Sequence, residues 1–587
     1  MKKVNALISL AVVLMTNLLT LSAGVKVEFN TATLPVQAEF NPAPLPVQVE
    51  FNRSTLPVLA GEDYNPVGYI RIIQSGNYRM TGVGFDFKGT TDLEDVQQIS
   101  LYAANAWGRI DASKLIAVQE VTSLTGQIRL NITLPSDTTW LVFTVKLRSG
   151  ASLANRINLN CRYVDFTTAY IEKESMRQSK NKLPQNLTTA HIELQPVFKE
   201  GLRVGFALRK LRQDGVHTTR IPGLVTTKKG SLLAVYDARW DSSRDLQGDI
   251  DIALNRSVDG GQSWQPMQLI LDMKEWGGLP QKFNGVSDAC ILVDETTGAI
   301  FVAGLWMHGV LDRNTGKWVE GLTEDSTRWI HQWHAKGSQP GLGVKQTSQF
   351  LITKSTDDGL TWSEPVNITP QTKRPEWWLY APAPGHGITL KDGTLVFPTQ
   401  GRYSTGLPFS NITYSKDGGK TWTTSNPAWS NTTECMAVEL DNGAIMLNMR
   451  DNRNHGKVSP NGRRICITTD LGKTWTEHPT SHRVLTEPTC MASLHKHYYM
   501  QNGERKSLLA FFNPDSHANR NHLTLKLSFD EGMTWPREHW VMLDEWGGFG
   551  YSCITSIDEN TLGIVYEGSR AQLVFQQVKL KVVIRGN

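Results

Sequence analysis

Six cysteines are scattered over 587 residues, at 161, 290, 435, 466, 490 and 553, and no two of them form a C-x-x-C pair. That excludes the paired spacing of metal-binding cysteines. The 14 histidines include no H-E-x-x-H, and no glycine-rich run opens a helix after a strand. The sequence therefore offers no metal or nucleotide site, and no cofactor is expected. An excess of one charge is also missing. Against 60 Lys and Arg stand 56 Asp and Glu, leaving a net charge of +4. Nothing draws the whole chain toward nucleic acid or an anionic membrane, so any bound anion must meet a local cluster. Past residue 23 no apolar run is long enough to span a bilayer.

The N-terminus does hold one apolar run. Lys2-Lys3 precedes Ala6 to Ala23, and Ser22, Ala23 and Gly24 offer a cleavage site, so residues 1–24 read as a signal peptide and the protein as exported, to periplasm, cell surface or medium. An uncleaved anchor is the competing reading. An exported chain can pair its cysteines, yet several lie in apolar, strand-like runs where buried thiols fit equally well; the sequence leaves both open. Over 25–60, Glu28-Phe29-Asn30, Glu39-Phe40-Asn41 and Glu50-Phe51-Asn52 recur at a period of 11, each followed by Leu-Pro-Val. Their prolines argue against a helix or a central strand and predict an extended linker. Residues 61–195 then alternate apolar and polar positions in short runs such as Gly68 to Ile73 and Thr139 to Val145. They predict a small β-sandwich with a following link, of either carbohydrate-binding or purely structural use.

Residues 196–587 carry the main signal. One pattern occurs five times: Ser257-Val-Asp259-Gly-Gly261-Gln-Ser263-Trp264, then again from Ser355 to Trp362, Ser415 to Trp422, Thr468 to Trp475 and Ser528 to Trp535. Each reads as a turn whose Asp accepts amide hydrogens, whose Gly supplies a permissive backbone and whose Trp anchors it to a sheet. The intervals of 98, 60, 53 and 60 residues suit four-stranded propeller blades, with an insertion or a pattern-free blade in the long gap. The expected fold is all-β: a β-propeller after a small sandwich.

The repeated pattern resembles the Asp box of the sialidases (neuraminidases), in particular the exported enzymes of gut and oral bacteria. The resemblance extends over residues 200–585, and it implies a six-bladed β-propeller in which the box aspartates are structural. Thr219-Arg220-Ile221-Pro222 followed by Leu-Leu-Ala-Val-Tyr236-Asp237-Ala-Arg239 resembles the family's opening motif, which makes Arg220 one of three arginines gripping a carboxylate. Arg450 ends a hairpin similar to the family's V-E-L-x-D-G-x-x-L-x-x-R, and Arg520 stands eight residues before Ser528, as the third arginine does. Three guanidiniums suit one planar carboxylate at any working pH.

The same resemblance implies that Glu567 buttresses the first arginine, that Tyr551 is the nucleophile, and that Glu434 is its base, with Glu439 as a rival. A phenol avoids the repulsion a carboxylate nucleophile would meet at an anomeric carbon already bearing a carboxylate, and sialidases are a known exception to the two-carboxylate rule. Its ordinary pKa of about 10 calls for a neighbouring base. Asp245 is the implied acid/base, crowded by Asp241, Asp249 and Asp251. Arg239 and Asp288 match positions facing the sugar's 4-hydroxyl. Trp306, Met307 and His308 are candidates for an acetamido pocket or for core, and Trp377-Trp378 for a platform near the leaving sugar.

The activity implied is exo-α-sialidase hydrolysis of terminal sialic acid from glycoproteins, glycolipids and oligosaccharides, with retention. Transfer to an acceptor or to an anhydro product needs the same residues and stays open as an alternative. A non-catalytic lectin needs only the arginines.

Overall fold

The computed structural model describes residues 47–584, apart from 77, 106–109, 136, 169–188, 197, 199, 247, 308–309, 313–314, 316–320, 328, 332–337, 345 and 458–459. The signal-peptide reading and the first two copies of the 11-residue repeat lie outside the described residues.

Alternation builds the first layer pair. In Asn65–Gln74, Ile70 and Ile72 are wholly buried while Arg71 and Ile73 are only partly so. One sheet orders the strands Val47–Asn52, Asn65–Gln74, Asp137–Leu147, Val96–Ala104 and Ile110–Glu120; the facing sheet orders Thr189–Glu193, Asn160–Thr168, Tyr78–Asp86 and Thr125–Thr133. Ile70, Ile72 and Phe143 from one sheet meet Met80, Phe85 and Phe166 from the other in a single core. The linker expected over 25–60 needs correction where it is described. Its third copy, with Glu50 and Phe51, is an edge strand of the sandwich, where prolines on either side remove no ladder bonds. Val58–Ala60 then joins the propeller, parallel to Leu202–Arg209.

Six radial sheets follow among the described residues. Their first strands are Thr218–Thr226, Val286–Val293, Leu379–Pro382, Thr432–Glu439, Ser493–Gln501 and Ser552–Asp558. The last sheet takes three strands from the C-terminus, and its outer strand, Leu202–Arg209, from the start of the propeller, antiparallel to Leu573–Lys579. Chain ends from opposite termini thus close the ring.

Each repeated box lies immediately after the third strand of a blade, and the five match one another in detail. Ser257 Oγ donates to Asp259 at 2.8 Å and accepts from Gly261 N at 2.8 Å, while Asp259 accepts from Ser263 N and Oγ at 3.0 and 2.5 Å. The bonds of Asp357, Asp417, Asp470 and Asp530 repeat this. Gly261 has φ +95°, and a Cβ there would stand 2.1 Å from Phe575, which is why the position is glycine. The closing blade has no box, because its outer strand comes from the other end of the chain. The 98-residue interval is an insertion, with a small hairpin of Val310–Asp312 and Trp329–His331 between a blade's second and third strands.

All six cysteines are free and buried. Burial pushes the Cys161, Cys435, Cys466 and Cys553 thiols up to about 12, so they are inert core residues.

Candidate active site

In an antiparallel blade the start of strand one, the end of strand two and the start of strand three share one end; the box turns lie at the other. The implied site residues occupy the first end. Arg220 opens one first strand, Asp288 and Glu434 sit near the start of two others, Arg239 and Arg450 close second strands, and Tyr551 and Glu567 flank the closing hairpin of the last blade.

The ladders do not run regularly into this end. Pairing shifts between Arg220 and Gly223, between Ser287 and Cys290, and between Thr432 and Cys435, so three blades carry a β-bulge at the same place. Bulges re-aim side chains, and here they turn Ile221, Asp288 and Glu434 onto one pocket. Ile221 and Asp288 adopt left-handed φ of 60° and 61°, a conformation strained for the β-branched Ile221 and better tolerated by an aspartate.

That pocket, of about 360 Å³, is lined by Asp245, Leu246, Asp288, Glu434, Arg450 and Tyr551, with Gln400 and Arg402 among its other walls. Tyr551 stands at the centre of the charges. Its hydroxyl donates to Glu434 Oε1 and lies 3.1 Å from Arg450 Nη1, which also holds Glu434 Oε2 at 2.7 Å. The guanidiniums of Arg220 and Arg520 lie over its ring, at 5.2 and 5.5 Å from the centroid. All three predicted arginines therefore converge on one phenol. Burial, then the Glu434 charge, pushes that phenol well above its usual range, with Arg450 and Arg520 opposing. It stays neutral until a base takes its proton.

Each arginine is held differently. Arg220 forms a two-pronged pair with Glu567, at 2.8 and 3.2 Å, and rests on the Phe549 ring at 4.1 Å. Burial alone would lower the Arg220 pKa, but the Glu567 charge and hydrogen bonds win and raise it. Glu567 also accepts from Ile221 N and Tyr551 N, so one carboxylate ties the first arginine to the nucleophile's backbone. Arg520 is anchored by the carbonyls of Phe549 and Thr489 at 2.9 and 3.2 Å, with no carboxylate in ion-pair range among the described residues. Its charge is left for a ligand.

The crowding of aspartates resolves in the fold. Asp245 lines the pocket, half exposed, with Oδ1 2.6 Å from Arg239 Nη1 and 3.6 Å from Arg220 Nη1. Burial would raise its carboxyl, yet Arg239 and Arg220 outweigh that and hold it below the ordinary range. Asp249 and Asp251 turn elsewhere, toward Asp272, where burial and mutual repulsion push them up to about 7 and 8. Glu439 accepts from Lys391 N outside the pocket, which leaves Glu434 as the carboxylate on Tyr551.

Arg239 is placed differently from the expectation. It is only 1% exposed and is committed to Asp237 at 3.2 and 2.9 Å, to Asp245 and to the Ser243 carbonyl, so in this conformation it stands behind Asp245. Asp288 does face the pocket and accepts from Gln400 Nε2 at 3.2 Å. Burial, with Asp237, Glu434 and Asp245 nearby, raises its carboxyl well above normal.

Trp306 is core, its indole donating to Asn284 at 3.0 Å, and Met307 is buried behind the pocket wall with Leu246 and Leu305; His308 lies outside the described residues. Trp377 is also core, packed at a tilt against Tyr380 and Phe409. Only Trp378 stays near the rim, 5.8 Å from the guanidinium of Arg402. Sequence reasoning missed Gln400 and Arg402, which belong to no motif and reach the pocket only through the fold, and Leu246, which follows Asp245 in the Ser243-Arg-Asp245-Leu-Gln stretch without signalling a role of its own. Among the described residues no group of His, Cys, Asp and Glu is arranged to hold a metal ion.

Both parts of the chain resemble known proteins. Residues 221–536 match the BNR repeat-like domain family, and residues 47–168 match the N-terminal domain of BNR-repeat neuraminidase. A sialidase of Bacteroides fragilis is 47% identical over 394 residues, 67% of this chain and 68% of that protein. A sialidase of Clostridium perfringens is 30% identical over 60% of this chain and 86% of its own length. Among solved structures, Hadza microbial sialidase Hz136 superposes with a TM-score of 0.77 at 34% identity, covering 91% of this chain and all of that one. Over the sandwich and the propeller alike the chain resembles these enzymes, and it belongs to the BNR-repeat neuraminidase, or sialidase, family.

Proposed function

We propose that the protein is an exo-α-sialidase that removes terminal sialic acid from glycoproteins, glycolipids and oligosaccharides with retention of configuration. The observation that carries this reading is Tyr551, bonded to Glu434 and ringed by Arg220, Arg450 and Arg520 in one pocket. A lectin needs the arginines alone; a phenol bonded to a buried carboxylate is equipment for chemistry.

The sugar's carboxylate takes the three arginines, partly displacing Asp245 from Arg220. Glu434 accepts the Tyr551 proton as the phenolic oxygen attacks the anomeric carbon, and Asp245 in its protonated form gives its proton to the departing glycosidic oxygen. In the second step Asp245, now a carboxylate, takes a proton from water. The hydroxide attacks the anomeric carbon, the tyrosyl bond breaks, and the phenolate recovers its proton from Glu434. Two inversions give net retention. Arg239 is reached by the sugar only once Asp245 has moved. Lys2-Lys3 and the apolar run to Ala23 support export, which N-terminal sequencing of the protein made by its host checks.

The test is incubation with 3′-sialyllactose, followed by proton NMR. Free α-sialic acid appearing before its β anomer supports the proposal. A transferred or anhydro product moves the reading to a trans-sialidase, and saturable binding without product to a lectin.

A further inference from the structure

An apolar wall of the pocket is formed by Leu246, Leu305 and Leu379, backed by Met307 and Ala381, and these five form a separate small core at the mouth of the propeller. Leu246 is the odd member. Leu305 and Leu379 lie on blade strands, whereas Leu246 comes from the connection between Arg239 and Ile250 and follows Asp245 directly. Asp245 keeps a half-exposed side chain, while Leu246 is 5% exposed and has a left-handed φ of 52°. A leucine in that conformation is held there by what surrounds it. The next anchors outward are Trp240, whose indole donates to Asp251 at 2.7 Å, and the Ser243 carbonyl on Arg239. The acid's segment is therefore pegged into the pocket wall by one side chain, next to the acid itself.

We infer that Leu246 is a positioning residue, which couples the placement of the Asp245 carboxyl to the filling of the Leu246–Leu305–Leu379 wall by the apolar acyl group of the substrate. The inference rests on the proposed sialidase reading. In the free protein Asp245 sits against Arg239 and Arg220, a place from which a carboxylate does not serve as an acid. The substrate carboxylate competes for Arg220 and loosens one of these contacts. An acyl methyl packed on Leu246 then fixes where the loosened segment settles. The wall recognises the acyl group and sets the acid with the same atoms.

The two functions separate with leaving groups. Lactose leaves as an alkoxide and needs the acid's proton; a nitrophenolate hardly does. Leu246→Ala removes the peg. Leu246→Asn removes it too but tolerates the left-handed backbone, which guards against a variant that merely misfolds. Both are compared with Asp245→Asn and the unaltered protein, on 3′-sialyllactose and 4-nitrophenyl sialoside, with a thermal melt for each.

The expected result is a fall in kcat/KM, which reports the first step, of about 100-fold on sialyllactose, the scale of lost general acid catalysis, with less than about 5-fold on the aryl sialoside; kcat also carries the water-activating step that both substrates share. A donor whose acylamino group is replaced by hydroxyl should show the same selective loss with the unaltered protein, and little further loss with Leu246→Ala. Parallel losses on both substrates in both variants, or no loss on either, overturn the inference and make Leu246 ordinary packing. If the unaltered protein cleaves neither substrate, the sialidase reading itself fails, and that outcome is distinct from any involving the variants.

Discussion

Replacing Glu567 by glutamine tests the most connected group in the site. Its carboxylate is 1% exposed and accepts four hydrogen bonds, from Arg220 Nε and Ile221 N at Oε1 and from Arg220 Nη2 and Tyr551 N at Oε2. Glutamine keeps the volume, so no cavity opens. However its amide is turned, one of the two acceptor oxygens becomes an NH₂ facing two donors. Two N–H groups lose their acceptor and Arg220 loses its nearer counter-charge, keeping only Asp245 at 3.6 Å. Breaking one side of a buried ion pair costs about 3–5 kcal/mol. At about 1.4 kcal/mol per factor of ten, that is a loss of roughly 10²- to 4 × 10³-fold in kcat/KM if it falls on the transition state. Both parameters should move, because Arg220 serves binding while the Tyr551 backbone serves chemistry. Steady-state kinetics on 3′-sialyllactose read the loss, and a urea midpoint separates it from unfolding. A loss below tenfold with an unchanged midpoint would refute the view that Glu567 organises the site.

Tyr551→Phe removes only the hydroxyl bonded to Glu434 and Arg450; kcat should fall by at least about 10³-fold while a sialic acid analogue still binds within about tenfold in calorimetry, since the arginines remain. Asp357→Ala strips an Asp-box turn of bonds from Ser355 and Thr361, at the end of the propeller away from the pocket. It should lower stability by about 1 kcal/mol in urea unfolding and leave kcat and KM unaltered. The Thr361 hydrogen bonds hold that Asp357 carboxyl down at about 2, so its contribution to stability is full above pH 4 and disappears only as pH falls toward 2. For Asp245 the sign runs through catalysis. A general acid is lost as pH rises through its pKa, and in the free protein Arg239 and Arg220 hold that pKa low against burial. Substrate removes part of the Arg220 pull, so the basic limb of kcat should lie at higher pH than that of kcat/KM. Coincident limbs would mean that Arg220 never released Asp245.

The architecture was legible because local chemistry writes it. The Ser or Thr, Asp, Gly and Trp of each box bond within one turn, so five turns, and with them the blades, can be counted along the chain. Arg220, Arg450, Arg520, Glu434, Tyr551 and Glu567 were nameable because each sits in a short motif on one blade. The third copy of the 11-residue repeat was misread, since a proline-flanked strand looks like a linker until its partner Asn65–Gln74 is known. The choice of Asp245 over Asp249 and Asp251 also needed the fold, because charge and spacing are alike and only Arg239, Arg220 and Asp272 sort them. Arg239 moved from the sugar's side to a place behind Asp245 for the same reason. By itself the sequence determined an all-β ring and the residue types at its mouth, through contacts a few residues apart. Only the tertiary structure decided which of those residues meet, because Tyr551, Glu434 and Arg220 are joined by ring closure and by bulges whose pairing partners lie on other strands.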